Sequence, residues 1–346
     1  MKTETNHSGA LLPLLRAAGQ VVVISHTSPD GDAVSALLAL SASLRLARFT
    51  VRPLSPSPVP ASYRFLPGWE EVAVYDSDAA ERPDGCEAER AIETADAIVC
   101  VDCSDLERLG PLYVRHRDKF RTAVLVNIDH HATNSGFGRL NLVDPSAASV
   151  CEYLALLMER EDLPLTAEIA SALLTGVVAD TLGFRTTSTS ANTLRVAASL
   201  MERGATLSDI SQLMFNTRSP RTLCLWGNVL SRTRVEDRLV WADITAEMLR
   251  ECGATLEDAD RLVDFIAGVP ETRGAFLFSE HQGEVRVSVR TSADLDAAAL
   301  AQVFGGGGHA RAAGCTLQGP LDDARALVMA EARRRLPVAV AAEEQS

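Results

Sequence analysis

Apolar and polar positions follow two rhythms along the first two-thirds of the chain. Short unbroken apolar runs at 20–25, 71–75, 97–102 and 123–128 predict strands buried on both faces. Segments with helical spacing, at 32–48, 145–160, 165–178 and 191–203, lie between and after them. Strands alternating with helices predict an α/β fold with a doubly wound, mainly parallel sheet. Asp144 followed by Pro145 reads as the N-cap and first position of the 145–160 helix.

Beyond residue 204 the rhythm changes. Residues 205–232 read as helix with a break at Ser219-Pro220. Strands are expected at 239–244, 274–279 and 284–289, with Gly283 turning between the last two. A helix near 295–303 leads into Gly305-Gly306-Gly307-Gly308-His309. The expected organisation is a larger domain over 1–204, a helical linker over 205–232, a smaller α/β domain with a mixed sheet over 233–338, and a disordered tail over 339–346.

A length of 346 residues accommodates two cores of ordinary size. With 47% hydrophobic and 23% charged residues the composition is that of a globular protein. The net charge of -13 argues against a broad footprint for long duplex nucleic acid, while leaving room for a short phosphorylated substrate held by a few cations or by metal. The seven cysteines show no framework spacing. Cys100 and Cys103 share C-x-x-C spacing, but three positions apart on a strand they face opposite ways and read as small buried hydrophobes. The amino-terminal residues are polar and no apolar stretch approaches a membrane span, so a cytoplasmic protein without a membrane partner is expected.

The chemistry collects where the apolar runs end. His26-Thr27-Ser28-Pro29-Asp30-Gly31-Asp32 follows the first run, Asp102 ends another, Asp129-His130-His131 ends a third, and Asp180 closes a helical segment. Each of these alone reads equally as a turn, a cap or a core histidine. Their carboxyl ends share one edge of a parallel sheet, so residues 26, 30, 32, 102, 130 and 180 are expected to meet in one crevice. Oxygen donors with a minority of imidazole and no thiolate suit Mn²⁺ better than Mg²⁺ or Zn²⁺. Four carboxylates exceed what one ion balances; two ions about 3.5–4 Å apart fit better. His7, His116 and His281 have no partner pattern and read as surface or loop histidines, and Asp105 as a turn residue. In the second segment Gly305–Gly308 expose backbone N–H groups, with His309, Arg311 and Arg290 as candidate phosphate ligands.

In these motifs, in Asn141-Leu142-Val143-Asp144-Pro145 and in Gly183-Phe184-Arg185, the chain resembles the DHH phosphoesterases that carry a DHH-associated C-terminal domain, over about residues 10–335. The resemblance implies two Mn²⁺ ions, with Mg²⁺ or Co²⁺ as substitutes. By position His26, Asp30, Asp102 and Asp180 would hold one, and Asp32, Asp102, His130 and Asp180 the other, with Asp102 bridging. Asp129 would orient a histidine and His131 would contact the reacting phosphate. Arg290, Gly306, Gly307, Gly308, His309 and Arg311 would bind the substrate's other phosphate. The implied reaction is two-metal hydroxide attack on oligoribonucleotides of two to five residues and on 3′-phosphoadenosine-5′-phosphate. Cyclic di-AMP or its linear product, polyphosphate, a single-strand exonuclease activity and a catalytically dead nucleotide-binding fold are the alternatives. A homodimer through the first domain is compatible with the pattern. Leu182 stands where many relatives carry glycine, and Val34-Ser35 where Leu-Gly is more usual.

Overall fold

The computed structural model describes residues 9–75, 87–216, 218–281 and 283–336, and the chain divides between residues 217 and 218 into two units. The first opens with α1 (Leu11–Arg16), where the Glu161 carboxylate accepts the backbone N–H groups of Gly9 and Leu11. Strand β1 (Gln20–Ile24) sends Val21 and Val23 into one apolar layer and Val22 and Ile24 into the other, which is why its run is unbroken. It is followed by α2 (Gly31–Leu46), β2 (Thr50–Ser55), β3 (Ala73–Val74), α3 (Glu87–Thr94) and β4 (Ala97–Val101). After α4 (Pro111–Arg115) and α5 (Arg117–Thr122) come β5 (Val124–Asp129) and β6 (Leu140–Val143). The unit continues with α6 (Val150–Arg160), α7 (Ala167–Asp180), α8 (Ala191–Glu202) and α9 (Leu207–Ser211).

These strands form one parallel sheet in the order β3-β2-β1-β4-β5-β6. The order reverses between β1 and β4, and in open α/β sheets the crevice at such a reversal receives ligands. Helix α2 packs on α7 and α6 on one face, while α3 contributes to the layer on the other.

Two local expectations are corrected. The 145–160 helix begins at Val150, not at Pro145, and its N-cap is Ser149, whose Oγ accepts the N–H of Glu152 at 3.0 Å. Asp144 instead closes a turn, accepting from the backbone N and Oγ of Ser146 at 2.9 and 2.6 Å. The start is displaced because Asp32 takes the first helical N–H groups, those of Val150 and Cys151. Likewise His116 is no surface histidine: it is buried, its Nε2 3.2 Å from Glu89.

The second unit begins with α10 (Pro220–Leu230), which packs on the next helix and strand of its own unit rather than forming a free connector. It continues with β7 (Arg234–Glu236), β8 (Leu239–Ile244), α11 (Ala246–Cys252), α12 (Leu262–Ile266), β9 (Gly274–His281) and β10 (Glu284–Thr291). Helix α13 (Ala297–Gln302), β11 (Gly307–His309), β12 (Ala312–Gln318) and α14 (Leu321–Arg335) complete it. The sheet is mixed, in the order β11-β12-β10-β9-β8-β7, with β8 and β9 parallel and the other pairs antiparallel. A disulfide joins Cys224 of α10 to Cys252 at the end of α11, a pairing 28 residues apart that the scattered cysteines did not announce. Cys100 and Cys103 are free and buried, as expected. The proposed tail over 339–346 and His7 lie outside the described residues.

Candidate metal centre

His26 lies just beyond the end of β1 and Asp102 one residue beyond β4, on the two strands that flank the reversal. Asp129 is the last residue of β5, with His130 and His131 next, and Asp180 is the last residue of α7. The α/β alternation thus delivers all of these side chains to one edge. His26 Nε2 lies 3.6 Å from Asp102 Oδ2. His130 Nε2 lies 4.0 Å from Asp32, 3.7 Å from Asp102 and 3.6 Å from Asp180. Three sets of donor atoms converge: His26 with Asp30 and Asp102, Asp32 with His130 and Asp180, and Asp102 with His130 and His131. Asp102 and His130 each belong to two sets, so the groups form one continuous cluster.

Local backbone chemistry aims these donors. Asp30 is the N-cap of α2, and its Oδ1 accepts from the N–H of both Asp32 and Ala33 at 3.1 Å. Asp32 sits at the amino end of α6, where Oδ2 accepts from Val150 at 2.6 Å and Oδ1 from Cys151 at 3.1 Å. Asp102 has a left-handed backbone, φ +56, a conformation that aspartate tolerates better than most residues, with its N–H held by Ile128 at 3.0 Å. His26 Nδ1 lies 2.8 Å from Thr27 O, and His130 Nδ1 lies 3.3 Å from Ala147 O. With Nδ1 engaged on a carbonyl, each ring presents Nε2 to the carboxylates, the arrangement a metal-bound imidazole requires.

The donors fit a cation. His26 Nε2 and Asp102 Oδ1 are buried and make no hydrogen bond among the described residues, a costly state unless something else satisfies them. Burial raises the pKa of Asp30 and that of Asp32, and the Asp102 charge pushes both further. Burial likewise pushes Asp180 up to about 6. Asp102 is opposed by the same burial, yet His26, His130 and His131 hold it below the usual carboxylate range. Like charges crowded in this way are relieved by divalent cations.

A second layer sets His131. Its Nδ1 lies 2.8 Å from Asp129 Oδ1, and this bond raises the histidine's pKa against the lowering effect of burial. Asp129 is fully buried and its other oxygen accepts from Asn134 Nδ2 at 2.5 Å. Asn134 also takes the side-chain N–H of Asn127 at 2.8 Å and donates to Cys103 O at 3.1 Å. The histidine that Asp129 orients is therefore His131, whereas His130 rests on a backbone carbonyl.

A model of the DHH family, N-terminal domain, matches residues 20–177, and a model of the DHHA1 domain matches residues 245–334. The "bifunctional oligoribonuclease and PAP phosphatase NrnA" of Thermus thermophilus is 34% identical over 92% of this chain and 90% of its own length. This chain belongs to the DHH family. The Bacillus subtilis protein of the same name is 25% identical over 92% of this chain and 93% of its own length. The crystal structure of an exopolyphosphatase-related protein from Bacteroides fragilis superposes with a TM-score of 0.85 at 25% identity, covering 95% of this chain and 96% of that one. The chain is thus a DHH-family phosphoester hydrolase with a cluster able to hold metal.

Within this DHH protein, sequence reasoning overlooked the residues that build the site without touching an ion. Asn134, three residues after the Asp129-His130-His131 triplet, was not singled out. At Gly176 of α7 a Cβ would stand 2.2 Å from Cys151 Sγ and 2.7 Å from Asp32 Oδ1. At Gly31 it would stand 2.6 Å from Ala179 Cβ, so α2 and α7 approach at glycines. Leu182, noted as standing where relatives carry glycine, has φ +50, the left-handed region that favours glycine.

The second-unit candidates are arranged differently from a free loop. The register places Arg290 opposite Ala312 and Ala312 opposite His309, one row across β10, β12 and β11. Gly307–His309 form an edge strand, and Gly306 approaches β12 so closely that a Cβ would stand 2.2 Å from Gly314 O. Gly307 alone among Gly306, Gly307 and Gly308 is open to a substituent. Arg290 Nε donates to Asp264 Oδ1 at 2.6 Å and Nη1 to Val289 O at 3.1 Å. Arg311 spends its guanidinium on backbone carbonyls, those of Ser292, Leu295 and Ala293, which makes it a brace for the 292–295 loop.

Proposed function

We propose that this DHH-family enzyme is a cytoplasmic Mn²⁺-dependent hydrolase of oligoribonucleotides two to five residues long and of 3′-phosphoadenosine-5′-phosphate. The observation that carries the reading is the intact donor set, His26, Asp30, Asp32, Asp102, His130 and Asp180, in a chain similar over 92% of its length to two proteins that bear this dual name. His26, Asp30, Asp102 and Asp180 would hold one ion and Asp32, Asp102, His130 and Asp180 the other, with Asp102 shared. The ions would polarise the phosphate and lower the pKa of the attacking water.

The chain's own residues supply the remainder. Asp32, fixed by two N–H groups of α6, and Asp30, fixed by those of α2, hold negative charge where it is needed without rearrangement. His131, its Nδ1 held by Asp129, keeps Nε2 for the reacting phosphate. Its raised pKa favours the protonated ring, which stabilises charge on the phosphate and gives a proton to the departing alkoxide. In the second unit Asp264 orients the Arg290 fork, and the Arg290–Ala312–His309 row with Gly307 and Gly308 supplies donors for a terminal phosphate. Arg311 supports that corner through the 292–295 backbone.

The test is a panel of 3′-phosphoadenosine-5′-phosphate, pApA, a pentaribonucleotide, cyclic di-AMP and polyphosphate, incubated with Mn²⁺ and resolved by chromatography. Turnover of the first three to mononucleotides is expected. Preference for cyclic di-AMP or polyphosphate would replace the substrate assignment while leaving phosphoester hydrolysis intact.

A further inference from the structure

In the second unit α10, α11 and α12 share one apolar cluster against β8 and β9; Trp226 packs on its margin and stays half-buried, while Phe265 lies outside it. Trp226 of α10 and Phe265 of α12 have ring centroids 5.8 Å apart. The indole is anchored, with Nε1 donating to Asp258 O at 3.0 Å, and the Arg218 guanidinium lies 5.4 Å over its ring. Phe265 is 61% exposed. Arg261, the left-handed N-cap of α12, sits one turn before Phe265, whose N–H its carbonyl accepts at 3.0 Å, and its Nε lies 3.9 Å from Asp260. Two guanidiniums and one carboxylate, Asp260, thus lie beside an exposed and a half-buried ring in a chain of net charge -13.

This cluster adjoins the phosphate candidate. Val285, Val287 and Val289 of β10 enter the opposite apolar layer, so Arg290 leaves the sheet on the α12 side. There its Nε is held by Asp264, the residue preceding Phe265. Beyond its contact with the indole, the Phe265 ring is left mostly exposed. It does suit a flat, anionic ligand: a base has a π-face for the rings, and its phosphates complement the guanidiniums.

We propose that Phe265 and Trp226, flanked by Arg218 and Arg261, form a stacking platform for a nucleobase of the substrate whose phosphate pairs with Arg290. The proposal rests on the reading of nucleotide substrates above. It makes Phe265 a determinant of nucleotide over bare sugar phosphate.

The full-length protein is titrated with AMP and with ribose 5-phosphate, following tryptophan fluorescence and calorimetric heat, for wild type, Phe265→Ala and Phe265→Tyr. AMP is expected to bind tighter than ribose 5-phosphate and to quench fluorescence. Phe265→Ala should weaken AMP about tenfold, the low end of base–aromatic stacking, with ribose 5-phosphate unchanged. Phe265→Tyr should restore it. Unchanged AMP affinity in a Phe265→Ala protein that still hydrolyses pApA overturns the platform alone. Equal loss for both ligands, with unchanged melting temperature, also overturns it, because a stacking residue acts only on the base. A protein that neither binds nor turns over any nucleotide overturns the underlying substrate reading as well.

Discussion

A methyl group on Gly176 would press against both Asp32 and the sulfur of Cys151, so the approach of α7 to α6 and to the cluster depends on a missing side chain. Gly176→Ala is expected to cost about 1–3 kcal/mol, as overpacking does. It should also displace Asp32 from the helix end that holds it. Melting curves with and without Mn²⁺ check this: the gain in melting temperature on adding metal should shrink in the variant. An unchanged gain would show that α7 yields without disturbing Asp32.

Asp102 joins the donor sets, and Asp30 serves one of them. Asp102→Ala and Asp30→Ala are each expected to abolish turnover, with rates down at least about a thousandfold if the ions carry most of the catalysis. Circular dichroism should remain near wild type. Activity retained in both variants would refute the two-metal assignment.

The crowded carboxylates predict a pH signature in the metal-free protein. Asp180 is pushed up to about 6, chiefly by burial, and Asp30 and Asp32 are raised for the same first reason. A raised folded-state pKa means that the fold binds its proton more tightly than the unfolded chain, so the stability it confers is lost as pH rises through that pKa. His26 and His131, also raised, act in the same sense. Asp102, lowered, acts oppositely, in the acid range below the ordinary carboxylate pKa. The melting temperature without metal should therefore fall as pH rises from the ordinary aspartate range through about 6, and fall further above the ordinary histidine range. Mn²⁺ should restore it at the upper end, and a flat profile would show that the carboxylates do not repel one another.

Asn134 acts through Asp129 on His131. Asn134→Ala should lower kcat about tenfold to a hundredfold, as loss of an outer hydrogen-bond partner does, with little change in KM. Asn134→Asp, which cannot donate, should not rescue it. A variant whose kcat is unchanged would free His131 from dependence on this chain of bonds.

Arg290→Ala is expected to raise KM for 3′-phosphoadenosine-5′-phosphate about tenfold or more, because a charge-assisted fork is lost. His309→Ala should act in the same direction. Arg311→Ala, by contrast, should lower the melting temperature, since its donors hold the 292–295 backbone. Steady-state kinetics and thermal melts separate the two outcomes.

Much of the first unit was legible in the sequence because its strands are buried on both faces, and β1, β4 and β5 each lead within two residues to a residue of the site. What escaped depends on tertiary contact. Pro53 hid β2, since proline within an apolar run argues against a strand; here β3 pairs only from Leu54 onward. The start of α6 follows a carboxylate more than a hundred residues away rather than the local Asp-Pro signal. That Asp129 serves His131 and not His130 is a matter of ring orientation, which spacing does not encode. The Cys224–Cys252 pairing needs α10 beside α11, a contact within the second unit that no local pattern announces.

Asp30 caps the start of α2 with one oxygen alone, Oδ1, and in the proposed mechanism the other would serve an ion. The position is therefore doubly constrained, by reach and by charge. A glutamate would overshoot the helix end, whereas an asparagine would keep the cap and forfeit the anion. On the proposed mechanism, folding and catalysis would be fastened to one side chain yet separable by a single-atom change, and an Asp30→Asn protein would be a well-folded, inert decoy that still presents the rest of the surface to its ligands.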